Sequence, residues 1–107
     1  MREISATELA AWLADAGRAR PLLLDVREPW EYEKARIAGA RLVPLREVPA
    51  RLSEIEQDQD VVAICHHGGR SRQVALFLEK AGYSKVHNLA GGVDAWSRTI
   101  DPSVPLY

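Results

Sequence analysis

The chain has 107 residues with 14 Lys and Arg against 15 Asp and Glu, a formal net charge of −1. That length is the size of one domain, expected to fill residues 1–107. The charge balance excludes the basic excess that nucleic-acid or membrane-surface binding requires. The 47% hydrophobic and 27% charged content is that of a globular chain. A single Cys excludes an internal disulfide and a Cys-only zinc site. No apolar run approaches the ~20 residues of a membrane span. Met1 to Ser5 lacks the apolar core of a signal peptide, so the expected location is the cytoplasm, where a lone thiol stays reduced.

Ser5-Ala6-Thr7-Glu8 reads as a capping box opening a helix that carries Leu9, Trp12 and Leu13 on one face and stops near Gly17. Pro21 to Val26 is a continuous apolar run of strand length, the pattern of a strand buried on both faces. Pro29 to Lys34 reads as a short helix opened by Pro, Leu42-Val43 as a minimal strand, and Val48 to Ile55 as a helix with Val48, Leu52 and Ile55 aligned. Val61 to Ile64 is the clearest strand. Ser71 to Ala81 reads as a helix with Val74, Ala75, Phe77 and Leu78 on its apolar side and Gly82 as its stop. Val86 to Leu89 is a further strand, and Gly92 to Ile100 a last helix with Trp96 inside. The tail from Asp101, with Pro102 and Pro105, is expected to be extended and to pack back on the domain. Strands alternating with helices predict an α/β fold with a mostly parallel central sheet of about five strands and helices on both faces. In such sheets sites form beyond the carboxyl ends of the strands. Two places satisfy that rule, Asp25-Val26-Arg27 and Cys65 onward.

The second place carries the chemistry. A buried strand delivers Cys65, a short loop of His66-His67-Gly68-Gly69-Arg70 follows, and Ser71 opens a helix. A thiol so placed faces unpaired N–H groups of the loop and helix start, with the helix dipole adding positive potential. Gly68 and Gly69 let the loop curl into an anion nest, and Arg70 adds charge. All three effects favour the thiolate, which is the nucleophile. The competing reading is a small buried hydrophobe ending a strand. A core Cys, however, has no use for two glycines and an Arg directly after it.

Cys65-His66-His67-Gly68-Gly69-Arg70-Ser71 resembles the C-x-x-G-x-R-S active loop of rhodanese-like sulfurtransferases. Asp25-Val26-Arg27-Glu28 with Glu31-Tyr32, then Ile37-Ala38-Gly39-Ala40 with Pro44-Leu45, then Leu89 to Trp96, resemble the family's other motifs in the same order. The tail through Asp101-Pro102-Ser103-Val104-Pro105 resembles rhodanese domains fused behind E1-like adenylyltransferases. The resemblance implies sulfur transfer through a Cys65 persulfide. The donor would be a thiosulfate-like small molecule, and the acceptor cyanide, a thiol or a sulfur-carrier protein. No cofactor, nucleic acid or membrane is implied.

Three rivals remain. A small Cys-dependent phosphatase or arsenate reductase is the nearest enzyme rival, but Cys-loop-Arg phosphatases place five residues between Cys and Arg, whereas four stand between Cys65 and Arg70. A non-catalytic binding module typically lacks the Cys. A metal site would draw on Cys65, His66, His67 and His87, but adjacent His residues rarely both reach one ion, so no metal is expected. His66 and His67 are read as shaping the pocket rim, with a general-base role for either as the alternative. Asp25 either supports the loop or caps the next helix, and Arg27 is read as structural. Trp30 is a candidate for the pocket wall and Arg72 for an extension of the positive rim. Trp12 and Trp96 are expected in the core.

Overall fold

The computed structural model describes residues 1–107. In chain order it comprises β1 (Arg2–Ile4), α1 (Ala6–Ala14), β2 (Leu22–Asp25), α2 (Pro29–Lys34), β3 (Arg41–Leu42), two 3-10 segments (Leu45–Glu47 and Pro49–Glu54), β4 (Val61–Ile64), α3 (Gly69–Lys80), β5 (Val86–Leu89) and α4 (Gly92–Thr99). The strands form one sheet in the order β1-β5-β4-β2-β3, and every pair is parallel. The α/β fold with five strands is the one the sequence predicts. No helix is long and apolar enough to cross a membrane.

Strand order reverses between β2 and β4: the chain runs outward from β2 to β3, returns to β4, and continues the other way to β5. Such a switch point opens a crevice at the strands' carboxyl ends, because the following connections diverge to opposite sides. Leu24 lies opposite Ala63 and Asp25 opposite Ile64, so β2 and β4 end level. Beyond the sheet, Val26 N–H still donates to Ile64 O at 2.9 Å. Asp25 to Arg27 and Cys65 therefore emerge side by side.

β4 shows why the apolar runs are continuous. Val62 and Ile64 face a core shared with Leu9 and Trp12 of α1 and Trp96 of α4. Val61 and Ala63 face a second core with Val74, Ala75 and Leu78 of α3 and with Val48 and Ile55. Both faces of a parallel sheet are covered, so neither side of the strand can be polar. Trp12 and Trp96 lie in the first core as expected. The α1 capping box is present, with Glu8 N–H donating to Ser5 Oγ and Ser5 N–H to Glu8 Oε1, each at 3.0 Å.

Four local expectations need correction. β1 is absent from the sequence reading, since three residues before a helix cap are too few to display alternation. Val48 to Ile55 is not one α-helix but 3-10 turns, with a kink at Arg51 (φ −114°, ψ 20°). The apolar alignment of Val48 and Ile55 toward the core survives that change. α3 begins at Gly69, two residues before Ser71, with Gly68 as its N-cap. Phe77 is 38% exposed at the rim of a groove shared with Val74 and Val48, not buried in the core with Val74 and Leu78. The tail does pack back: Val104 joins the first core, and its carbonyl accepts from Ser97 Oγ.

Candidate functional site

The loop after β4 is held by backbone before any side chain contributes. The Cys65 and His66 carbonyls accept from Val93 N–H (2.9 Å) and Asp94 N–H (3.1 Å), both in the first turn of α4. Those N–H groups have no partner within their own helix, so the loop satisfies them. The approach is close enough to require glycine: a Cβ on Gly92, at φ +59°, would lie 2.3 Å from Cys65 O and 2.4 Å from His66 O. At the other end of the loop Gly68 takes φ +105°, the left-handed turn that sends the chain into α3.

This curl brings donors to the sulfur. Cys65 Sγ accepts from Gly68 N–H at 3.1 Å and lies 3.2 Å from Ser71 Oγ. Ser71 Oγ is also 2.5 Å from Asn88 Oδ1. The Asn88 amide orientation is fixed, because its NH2 group donates to Glu3 Oε1 (2.9 Å) and to Gly68 O (3.1 Å). The one Ser71 proton therefore has two acceptors, Asn88 Oδ1 and the sulfur. With a thiol, Cys65 S–H can donate to Ser71 Oγ while Ser71 donates to Asn88. With a thiolate, Ser71 can turn to the sulfur. The nest is thus able to solvate either protonation state without moving its backbone. Asn88 escaped the sequence reading; only its strand position, level with the loop, hinted at it.

Arg70 departs from its expected role. Its guanidinium pairs bidentately with Glu31, at 2.7 and 2.8 Å, so its charge is committed to a carboxylate and is not free beside the thiol. The Glu31 side chain is only 4% exposed. The Arg70 hydrogen bonds outweigh burial and hold the Glu31 carboxyl down at about 2, while the same pairing raises the Arg70 pKa.

Glu31 belongs to a larger network. Tyr107 Oη donates to Glu31 Oε2 at 2.8 Å and accepts from Arg27 Nη1 at 2.8 Å. Burial pushes the Tyr107 hydroxyl up to about 12, so it stays protonated and can make both bonds. Arg27 is fully buried and pairs with buried Asp25 through Nη2–Oδ2 (2.7 Å) and Nε–Oδ1 (2.9 Å), and it donates to Ala35 O at 2.6 Å. Burial opposes the Arg27 charge, but the Asp25 and Tyr107 bonds prevail and raise its pKa. Of the two alternatives for Asp25, capping of α2 is not what it does; it carries Arg27, which holds Tyr107.

Tyr107 also stacks face to face on His66, centroids 3.9 Å apart and planes 10° apart, and His66 stacks in turn on His67 at 3.9 Å. Trp30 meets Tyr107 edge-on at 5.8 Å. At 59% exposed, Trp30 walls the site through Tyr107 and not by lining a cavity at the sulfur. Neither imidazole is among the hydrogen-bond partners of Sγ, which accords with a rim role. Burial, then the neighbouring His67, lowers the His66 pKa. Arg72 turns away to Glu3, Nε to Oε2 at 2.7 Å, and does not extend the rim.

His66, His67 and Asp94 bring ligand atoms within 4.8 Å of one another, closer than adjacency in sequence suggests. That spread exceeds the ~3.3 Å separating ligand atoms around a tetrahedral ion with ~2 Å bonds. The Asp94 carboxylate is also engaged by Arg98 at 3.0 Å.

Comparison with known proteins agrees with this architecture. The family model for the rhodanese-like domain matches residues 5–99. A protein of Allochromatium vinosum named "Sulfurtransferase" is 41% identical over 98 residues, covering 92% of this chain and 90% of its own. The "Probable adenylyltransferase/sulfurtransferase MoeZ" of Mycobacterium tuberculosis is 36% identical over 106 residues, which cover 97% of this chain and 26% of that protein. This chain thus spans about a quarter of one relative and nearly all of another. The crystal structure of a rhodanese-like domain protein from Staphylococcus aureus superposes with a TM-score of 0.85 at 27% identity, covering 100% of this chain and 99% of that one. With a five-stranded parallel sheet, a cysteine nest at its switch point and a family match across nearly its whole length, the chain belongs to the rhodanese-like domain family.

Proposed function

We propose that this protein is a sulfurtransferase that carries sulfane sulfur on Cys65. The observation that supports this most is the position of Sγ, between the Gly68 N–H and the Ser71 hydroxyl at the end of a buried strand. In the first step the Cys65 thiolate attacks the outer sulfur of a thiosulfate-like donor. A new S–S bond forms, the donor's S–S bond breaks, and sulfite leaves with the electron pair. In the second step cyanide or a thiolate attacks the terminal persulfide sulfur, and Cys65 leaves as thiolate. This is covalent catalysis in two half-reactions, with ping-pong kinetics. The loop donors are oriented before reaction and stabilise negative charge on sulfur at little reorganisation cost. His66, His67, Gly68, Gly69, Arg70 and Ser71 form the binding loop, with Asp25, Arg27 and Trp30 supporting it from behind. The names of the Allochromatium vinosum and Mycobacterium tuberculosis relatives, each of which includes the word sulfurtransferase, support sulfur transfer.

The test is mass spectrometry of the intact protein after thiosulfate treatment. One added sulfur that is lost on exposure to cyanide is expected, and Cys65→Ser should abolish both the adduct and turnover. A wild-type protein that takes up no sulfur from thiosulfate or any other persulfide donor would end this reading.

A further inference from the structure

We propose that Tyr107 sets the size of the sulfur donor admitted to Cys65, an inference that rests on Cys65 being the sulfur-accepting thiol. Cys65 is 1% exposed, and the two surface cavities open elsewhere. One, about 180 Å³, lies between Leu45, Val48 and Phe77; the other, about 260 Å³, lies beside Trp12 and Arg18. Some group must therefore move before any donor reaches the sulfur.

The inner side of the loop is poorly suited to move. The Cys65 and His66 carbonyls are bonded to α4, Gly68 O is bonded to Asn88, and Gly92 is packed against the loop backbone. On the outer side Tyr107 stacks directly on one end of the loop and reaches the other end through Glu31. Its ring lies on His66, the residue after Cys65, and its hydroxyl holds Glu31, the partner of Arg70 at the far end. Upstream, the tail's last anchors are Val104 and the Ser97–Val104 bond. Pro105 and Leu106 are exposed and make no hydrogen bond, so beyond Val104 the segment is held to the domain through the Tyr107 side chain. Its release breaks the His66 stack, the Trp30 edge contact and two hydrogen bonds. A small inorganic donor needs only a slight shift of the ring. A bulky one must evict it.

The test uses the fact that Cys65 is the only cysteine, so thiol alkylation, with the modified residue identified by peptide mass spectrometry, reports on it alone. Iodoacetamide and a fluorescein-bearing iodoacetamide share one electrophilic carbon and one leaving group and differ in bulk. Wild type should react with the bulky reagent at least about tenfold more slowly, and Tyr107→Ala should remove most of that discrimination. Tyr107→Phe keeps the ring on His66 and should keep the discrimination, with thermal melts confirming that both variants are folded. Equal acceleration of both reagents in Tyr107→Ala would mean a change in thiolate reactivity, and an unchanged ratio would mean that the ring bars nothing; either overturns the proposal. In the donor assay, kcat/KM for a bulky aryl thiosulfonate relative to thiosulfate should rise in Tyr107→Ala. If no donor loads sulfur on any variant while the alkylation ratio shifts as stated, the sulfurtransferase reading fails but Tyr107 remains the size filter of this thiol.

Discussion

At the residue scale the site is organised by where charge is spent. Glu31 takes the Arg70 charge that the sequence offered to the thiol. Its folded-state pKa of about 2 lies below the ordinary 4.5. A depressed carboxyl stabilises the fold fully above its unfolded pKa and loses that contribution as pH falls toward the folded value. Because Arg70 is 39% exposed, solvent screening trims the contribution to on the order of 2 kcal/mol at neutral pH. Urea unfolding should show stability draining between about pH 5 and pH 2. Glu31→Gln should be less stable at pH 7 and should flatten that acid limb. An equally steep limb in Glu31→Gln would place the titration elsewhere. What sequence alone made legible at this scale was Cys65 and its glycine loop, because the chemistry there is local: a strand end, a turn and a helix start within seven residues. Glu31, Asn88 and Tyr107 are brought to the loop from 34, 23 and 42 positions away. Arg70 and Arg72 could not be assigned partners from sequence, since Glu31 and Glu3 lie on other elements.

At the element scale the loop is an interface between α4 and β5 as much as the end of β4. The α4 N-terminus spends its free N–H groups on the Cys65 and His66 carbonyls, and Gly92 makes the approach possible. Gly92→Ala adds a Cβ against two backbone oxygens at a left-handed φ, so strand and helix must separate. A loss of at least about 3 kcal/mol is expected by urea unfolding, together with altered Cys65 alkylation, since both follow from one displaced backbone. From β5, Asn88 clamps Gly68. Asn88→Asp replaces an NH2 donor by a carboxylate facing Gly68 O and Glu3, with an expected loss of about 1–3 kcal/mol and a larger deficit at pH 7 than at pH 4. The element types were legible wherever apolar periodicity ran for four or more residues, as in β2, β4 and α3. Legibility failed where it could not: β1 is three residues long, and Pro49 with the Arg51 kink turns an apparent helix into 3-10 turns. Phe77 fell at an apolar helical spacing, yet the sheet reaches only the Val74–Leu78 side of α3.

At the scale of the whole molecule, the switch point between β2 and β4 joins a structural ion pair to the site. Asp25 and Arg27 leave β2 level with the end of β4, and the fully buried Arg27 links Asp25, the α2 backbone and Tyr107. The desolvation of that guanidinium is offset only while its partners are present. Removing one member of a buried pair leaves an uncompensated charge and typically costs about 3–5 kcal/mol. Asp25→Asn should therefore remove a large share of the roughly 5–15 kcal/mol available to a domain of this size, read as a lower urea midpoint with an unchanged m-value. Arg27→Met should be comparably damaging, since it orphans Asp25, Ala35 O and one side of Tyr107. The double variant separates a pair from a network. If Asp25 and Arg27 only neutralise each other, Asp25→Asn/Arg27→Met will recover much of the loss. If Arg27 also anchors the tail, the double variant will stay destabilised, because Ala35 O and the Tyr107 hydroxyl are left without their donor. The bonds from Arg27 to Ala35 O and Tyr107 favour the second outcome. Recovered stability would detach the tail from the ion pair.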